Sequence, residues 1–315
     1  MKMRSNRILI AVTGIILLVL FSMYFIFPGI LYKTIITRER SKAGLVQKSI
    51  DVGQWHIKYL EGGQGDVLLL LHGFGGDKDN WTRMARFLTP YFRVIAPDLP
   101  GFGESSRHFK AMYTYAAQVD RLHRFTGALG IGKFHLAGNS MGGAIAGTYA
   151  ARHENELISL WLIAPAGIKS AQKSELHQRL ESDEPNPLVV GSAKDYDRLM
   201  DFVFVKTPYI PGTIKRYFAN QAIHHSPLNK IISRQIKADD DFTPLEESLQ
   251  NSQMRTLILW GDSDRVLHVS GANVLASAML NAKSIVMNEV GHVPMLEKPQ
   301  ASANIFINFQ GKKNK

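Results

Sequence analysis

The 315-residue sequence contains no cysteine. This absence excludes disulfide bonds, thiol nucleophiles, thiolate zinc sites and a lipidated N-terminal cysteine. It does not identify the compartment, because a protein without cysteine is compatible with either side of a membrane. The sequence also lacks internal repeats and low-complexity tracts. Its length suits one domain with an insertion and is short for two full domains.

The central part of the chain has almost no net charge, although the whole chain carries +10 at pH 7. Seven basic residues and only one acidic residue lie within positions 1–42, and three lysines lie within positions 312–315. Because the positive charge is confined to the two ends, the composition does not indicate a nucleic-acid-binding surface.

Charged side chains are also missing from a long stretch near the N-terminus. Residues 8–27 contain none, and the apolar character continues to Tyr32. About 20 apolar residues match the hydrocarbon thickness of a bilayer. The stretch ends in bulky residues, whereas a cleaved signal peptide usually has a shorter apolar core and a cleavage site of small residues. These features favour an uncleaved transmembrane anchor at 8–32 over a cleaved signal peptide.

The basic residues before this stretch favour a cytoplasmic N-terminus, although those at positions 33–42 weaken the asymmetry. We therefore expect a single-pass membrane protein with its main domain on the extracytoplasmic side. The predicted N-terminal segments are a basic tail at 1–7, the anchor at 8–32 and a linker at 33–43.

Most of the remaining chain alternates between continuous apolar runs and helical patterns, which predicts an α/β fold. A hairpin is predicted over residues 46–61. The following runs are typical of strands buried on both faces and lie at 67–71, 92–96, 156–164 and 255–260.

The sequence pattern changes within this domain. After residue 168 the strand-like runs stop, and helical patterns interrupted by prolines predict a cap over the core. The aromatic clusters of the cap suit either its own packing or an acyl-binding pocket. The predicted segments are core residues 44–167, the cap at 168–252, core residues 253–310 and a basic tail at 311–315.

The most informative motif is GNSMGG at residues 138–143. An apolar run precedes it and small helix-forming residues follow, so it reads as a strand, a sharp turn and a helix. Such a turn strains the backbone of Ser140 and requires small neighbours, which Gly138 and Gly142 supply. The Ser140 hydroxyl then lies near the N-terminus of a helix, where a developing negative charge is favoured. The alternative is a glycine-rich turn with a solvent-facing serine.

Nearly all of residues 45–310 resembles the α/β-hydrolase superfamily, and within it the bacterial lipase 1-like group and the membrane-anchored monoacylglycerol lipases. The stretches that carry the resemblance are LLLLHGFGGDKDNWTRMARFL, APDLPGFGESS, HLAGNSMGGAIAGTYA, DFVFVKTPYIP, LWGDSDRVLHVSGAN and GHVPMLEKP. The resemblance implies a mostly parallel eight-stranded sheet with a helical cap insertion. It also implies hydrolysis of a carboxylic ester with an acyl chain, without a cofactor and with acylglycerols as the expected substrates.

The resemblance also implies a catalytic triad of Ser140, Asp264 and His292, in the chain order of this superfamily. Asp264 is preferred to Asp262 because the family acid lies three residues beyond the glycine that ends its strand. Asp262 is expected to cap the turn. In such a triad the imidazole takes the serine proton, and the carboxylate fixes its tautomer and stabilises the imidazolium.

The HGFGG loop at 72–76 matches the loop that supplies one N–H group to the oxyanion hole. The resemblance assigns this donor to Phe74 and the second to Met141, while Gly73 lets the backbone approach the substrate. His72 is expected to shape the loop, and Asp98 is expected to stabilise a neighbouring loop.

Two other functions remain open. Hydrolases that cleave C–C bonds of ring-cleavage products share GNSMGG and a similar cap, but they usually carry an aromatic residue where Val293 follows His292. A non-catalytic binding protein on the same scaffold would often lack a triad member, and all three are present. The pair His224–His225 has no carboxylate at ligand spacing, so no metal site is predicted there.

Overall fold

The computed structural model describes residues 6, 10–15, 18–19, 21–22, 28–182 and 184–312. Ten of the 25 residues of the predicted anchor at 8–32, most of the tail at 1–7 and the last three residues therefore lie outside the described residues. Among the helices that are described, none is both long enough and apolar enough to cross a bilayer.

A helix, α1 (Pro28–Lys42), crosses the predicted boundary between anchor and linker at residue 32. It ends before Gly44, which adopts the left-handed conformation common after helices, with φ of 65°. The predicted linker is thus largely helical.

The centre of the described structure is an eight-stranded sheet with the strand order β1-β2-β4-β3-β5-β6-β7-β8. The strands are β1 (Leu45–Val52), β2 (Trp55–Gly62), β3 (Val67–Leu71), β4 (Arg93–Pro97), β5 (Phe134–Ser140), β6 (Leu157–Pro165), β7 (Thr256–Gly261) and β8 (Ala282–Met287). Strand β2 is antiparallel to both its neighbours, and β3 to β8 run parallel. The mostly parallel α/β-hydrolase sheet and its N-terminal hairpin are confirmed.

Helices cover both faces of this sheet. The helices after α1 are α2 (Thr82–Leu88), α3 (Tyr115–Ala128), α4 (Met141–Arg152), α5 (Glu175–Glu181), α6 (Ala193–Val203), α7 (Gly212–Lys237), α8 (Leu245–Ser248), α9 (Ser270–Ala278), α10 (Pro294–Glu297) and α11 (Pro299–Phe309). Helices α2 and α11 share one hydrophobic core with one face of the sheet, and α3, α4 and α9 share another core with the opposite face. Strands β3 and β5 are consequently buried along their whole length.

The cap is helical, as expected. Between β6 and β7 the described residues form helices α5 to α8 and no strand. Serine side chains cap the first two of these helices, because Ser174 accepts a hydrogen bond from the N–H of His177 and Ser192 one from the N–H of Asp195.

Helix α1 packs against the cap. The ring of Tyr32 lies 5.2 Å from that of Tyr217 and 5.0 Å from that of Phe218, both on α7. At the other end of α1, Arg40 forms an ion pair with Asp79, in the 3-10 turn that leads into α2. The Tyr217–Phe218 cluster therefore contributes to packing between α1 and the cap.

One buried histidine makes the stability of this fold pH-dependent. His135 on β5 is 2% exposed, and its Nδ1 lies 2.8 Å from the Ser159 hydroxyl. Burial lowers the pKa of His135 to about 4, from an ordinary value of 6.5. Between these values the unfolded chain binds more protons than the folded one, so the free energy of unfolding falls as the pH is lowered.

We expect His135→Gln to make this pH dependence shallower, because glutamine does not titrate. A shift of this size corresponds to at most about 3 kcal/mol between pH 6.5 and 4. Urea unfolding across this range measures the difference. The wild type, measured in the same buffers, is the reference for the slope. Equal slopes in His135→Gln and the wild type would contradict the prediction.

Candidate active site

Ser140 lies at the sharp turn between β5 and α4, as the GNSMGG motif predicts. Its backbone adopts φ of 55° and ψ of −119°, a strained conformation for a residue with a side chain. The residue is 9% exposed, and its hydroxyl makes no capping hydrogen bond to α4. The hydroxyl is therefore not used to stabilise the helix that it precedes.

Close backbone contacts force this geometry. A Cβ atom on Gly138 would lie 2.1 Å from the carbonyl oxygen of Gly142. A Cβ atom on Gly142 would lie 2.3 Å from the carbonyl oxygen of Leu71, at the end of β3. Both positions therefore require glycine, and the turn is pressed against the end of a neighbouring strand.

Asp264 and His292 meet in the same region, although 28 positions separate them. The Nδ1 of His292 lies 2.8 Å from Oδ2 of Asp264, and both residues are buried. The other carboxylate oxygen, Oδ1, accepts the N–H groups of Val266 at 2.8 Å and Leu267 at 3.0 Å. This carboxylate orients the imidazole with Nδ1 as the donor, which leaves Nε2 as an acceptor.

Two residues that the sequence reasoning did not single out hold this arrangement. The indole N–H of Trp260 donates to Oδ2 of Asp264 at 3.0 Å and is shared with the Leu267 carbonyl at 3.1 Å. The Asn139 side-chain amide donates to the carbonyls of Ile163 and His292, each at 3.1 Å. Asn139, the residue before Ser140, thereby connects the serine turn to the loop at residues 288–293, called here the histidine loop. In the sequence, only their positions beside predicted triad residues could have indicated these roles: Trp260 lies in LWGDSD and Asn139 in GNS.

The HGFGG loop also reaches the serine. A Cβ atom on Gly73 would lie 3.2 Å from Cβ of Ser140, so the loop backbone runs beside the turn. Phe74 follows Gly73 in this loop, and Met141 is the first residue of α4, where backbone N–H groups have no partner within the helix. Their predicted use as oxyanion donors fits these positions and stays a prediction.

His72 has the structural role expected of it. Its Nδ1 lies 2.8 Å from the Gly73 carbonyl, and its Nε2 accepts the Leu99 N–H at 3.0 Å. Complete burial lowers the pKa of His72 below its ordinary value. A neutral ring with both nitrogens engaged shapes the loop and is not available as a base.

Asp98 is likewise occupied by loop contacts. Its carboxylate accepts the backbone N–H groups of Lys78 at 2.8 Å and Glu104 at 2.7 Å, and it pairs with the Lys78 ammonium at 2.8 Å. The alternative acid, Asp262, accepts a hydrogen bond from the neighbouring Ser263 hydroxyl at an exposed position. Asp264 is thus the aspartate that the fold brings to His292.

The histidine pair of the cap, His224–His225, lies within α7. Among the described residues, a group with the spacing of metal ligands occurs elsewhere, at His123, His153 and Glu156. There the two imidazoles stack and face one oxygen of Glu156, with Nδ1 to Oε1 distances of 3.3 and 3.7 Å. The group lies outside the site around Ser140.

Comparison with known proteins agrees with the fold described above. Residues 66–299 match the family described as alpha/beta hydrolase fold. The chain is 40% identical over 282 residues to Lipase 3 of Moraxella sp. (strain TA144), covering 88% of each chain. It is 30% identical over 307 residues to monoacylglycerol lipase abhd6-B of Xenopus laevis, covering 93% of this chain and 90% of the relative.

A solved structure is similar over almost the whole chain. It is the crystal structure of a membrane phospholipase A, described as a bacterial virulence factor, with 43% identity and a TM-score of 0.88. The match covers 97% of this chain and 98% of that protein.

The close contact at the turn predicts the effect of Gly138→Ala. A Cβ at this position collides with backbone that cannot move away, so we expect esterase activity and folding yield to fall sharply. Gly127→Ala is the control: it lies in α3, with nothing within 4 Å of the added atom, and should raise helix stability by about 0.5–1 kcal/mol. Ester hydrolysis and melting temperature measure both effects, and an unimpaired Gly138→Ala would refute the steric argument.

The indole contact predicts a separate effect for Trp260→Phe. Losing a hydrogen bond to a charged group costs about 1.5–3 kcal/mol, so we expect kcat/KM to fall by about tenfold or more as Asp264 loses orientation. Trp161→Phe is matched in size and burial, and the indole nitrogen of Trp161 has no hydrogen-bond partner within the described structure. Steady-state kinetics on a short chromogenic ester should separate the two variants. Equal losses would mean that indole volume, not the hydrogen bond, matters.

Proposed function

The chain belongs to the alpha/beta hydrolase fold family, and on this premise we propose that it is a serine carboxylic-ester hydrolase of acyl lipids, with acylglycerols as substrates. The observation that carries the proposal is the 2.8 Å hydrogen bond between His292 and Asp264, which are both buried. The strained backbone of Ser140 belongs to the turn that Asn139 joins to the His292 carbonyl. The Asn139 amide bond to the His292 carbonyl supports the juxtaposition of serine and histidine.

In the first half of the proposed reaction, Nε2 of His292 takes the proton of the Ser140 hydroxyl as its oxygen attacks the ester carbonyl. Asp264 holds the imidazole and stabilises its positive charge. The N–H groups of Phe74 and Met141 stabilise the oxyanion, and losing one such donor typically costs about 3–4 kcal/mol. The tetrahedral intermediate then expels the alcohol, which receives the proton from His292, and the acyl group stays on Ser140.

In the second half, His292 takes a proton from a water molecule that attacks the acyl-enzyme. A second tetrahedral intermediate forms at the same carbonyl carbon, and the same N–H groups stabilise it. Its collapse returns the proton to the Ser140 oxygen and releases the fatty acid. All these steps use protein groups and water.

The lipid substrate is supported by the relatives and by the position of α1. The similar proteins are named lipase, monoacylglycerol lipase and phospholipase A, and each name describes cleavage of an acyl lipid. Helix α1 directly follows the apolar stretch at 8–27 and contacts the cap through Tyr32. We propose that the stretch at 8–32 anchors the protein in a membrane, with the hydrolase domain extracytoplasmic, so that the cap lies near its lipid source.

We expect the wild type to hydrolyse p-nitrophenyl esters and Ser140→Ala to lose activity by at least about a thousandfold, because the nucleophile is gone. Asp264→Asn should also lose activity strongly, whereas Asp262→Asn should stay near wild type. Activity retained in Ser140→Ala would exclude the proposed nucleophile. A wild type that hydrolyses ring-cleavage products and no ester would instead favour the C–C hydrolase, and inactivity on both would favour a binding protein.

Substrate class is tested with monoacylglycerols and triacylglycerols of increasing chain length. Rates are compared for the full chain and for a variant lacking residues 1–27. We expect long-chain monoacylglycerols in vesicles to be preferred and their hydrolysis to depend on the N-terminal stretch. A maximum on water-soluble short esters, unaffected by the truncation, would contradict a lipid substrate.

A further inference from the structure

The cap is hydrogen-bonded directly to the loops that carry Asp264 and His292. The last carbonyl groups of a helix have no partner within the helix. At the end of α6, the Val203 carbonyl accepts the backbone N–H of His292 at 2.9 Å. The Asp201 carbonyl accepts a hydrogen bond from the guanidinium of Arg265, the residue after Asp264, at 3.2 Å. Two carbonyl groups at the C-terminus of a cap helix thus accept hydrogen bonds from His292 and from Arg265, next to Asp264.

Glu297, at the end of α10, strengthens the contact on the histidine side. Its Oε1 accepts the N–H of Gly291 at 2.7 Å, and its Oε2 accepts the N–H of Val205 at 3.0 Å. One carboxylate therefore holds the residue before His292 with one oxygen and the cap chain just beyond α6 with the other.

The packing around this bridge leaves little room for adjustment. A Cβ atom on Gly291 would lie 2.7 Å from the Val203 carbonyl oxygen, so the cap chain runs directly over the histidine loop. Phe202 is buried, with the Arg265 guanidinium 4.8 Å from its ring centre. The histidine loop (residues 288–293) and the cap segment are therefore in close contact, and Glu297 joins them through one backbone N–H group on each side.

We propose that Glu297 is a positioning residue that aligns His292 by fixing its loop to cap residues 201–205. This inference rests on the proposed function, because it assumes that His292 acts as the base for Ser140. Proton transfer requires hydrogen-bond distance between the two side chains, and a displacement of about 1 Å can cost two orders of magnitude in rate. The Glu297 carboxylate therefore couples the position of the cap to the alignment of His292, in addition to the direct backbone hydrogen bond from His292 to Val203.

Glu297→Gln is a suitable probe because it keeps the size of the side chain and removes one of its two acceptors. The NH2 group of glutamine only donates hydrogen bonds. It would face the N–H of either Gly291 or Val205, which is also a donor, so one of the two hydrogen bonds would be lost. Glu289→Gln is the matched control. Glu289 lies in the same loop, and its exposed carboxylate pairs with Lys206 at 3.6 Å.

The experiment uses the full chain in detergent micelles. It compares kcat and KM on a p-nitrophenyl ester with the rate at which a fluorophosphonate labels Ser140. We expect Glu297→Gln to lower kcat and the labelling rate by about tenfold or more, with KM within about twofold of wild type. Glu289→Gln should match the wild type in every measurement. Rates are normalised to the labelled active-site concentration, and melting temperatures are recorded, so that loss of folded protein is not read as misalignment.

Unchanged normalised rates in Glu297→Gln, with or without a lower melting temperature, would overturn the proposal, because Glu297 would then only stabilise the fold. A similar loss in Glu289→Gln would overturn it too, since any charge change in the loop would suffice. A wild type that is neither labelled nor active on esters would instead reject the proposed function. The two failures are therefore distinguishable.

Discussion

The site depends on the buried carboxylate of Asp264. It accepts four hydrogen bonds: from the His292 ring, the Trp260 indole and the backbone N–H groups of Val266 and Leu267. A charge removed from water is tolerated only when such donors replace the lost hydration. Because both oxygens are occupied, the carboxylate has one orientation, and the imidazole that donates to it is held in one tautomer.

The same requirement explains how the other aspartates are used. Asp98 is also buried, but its hydrogen-bond donors are Lys78 and the backbone of Glu104. Its carboxylate therefore joins the two loops that carry these residues. Asp262 is exposed and needs no such set of partners. The environments of these aspartates, rather than their chemistry, separate a candidate triad acid from structural carboxylates.

The cap is in direct contact with the loops that carry Asp264 and His292. Its helix α6 ends on the loops of Asp264 and His292, and its helix α7 packs against α1, which follows the apolar N-terminal stretch. Helix α1 therefore connects the chain that follows residue 27 to the cap. Glu297 bridges the cap and the loop that carries His292.

Features governed by short-range sterics and by burial were readable from the sequence. Strand β3 was predictable because its five apolar residues suit a strand covered on both faces, and the turn at Ser140 because only glycine fits at Gly138 and Gly142. The resemblance to α/β-hydrolases further predicted which aspartate and histidine would meet. The helical nature of residues 33–42 was missed, since their polar sequence shows little amphipathic pattern.

Only the tertiary structure decided the contacts between distant parts of the chain. Glu297 meets Val205 across 92 positions, and Asn139 meets the His292 carbonyl across 153. No local pattern marks such pairs, because a carboxylate or an amide that holds a backbone group looks in the sequence like any exposed polar residue. The sequence by itself determined the α/β core and the candidate nucleophile, since local sterics and hydrophobic burial specify them. The packing of distant segments, within the core and between cap and core, decided which residues hold the proposed triad in place.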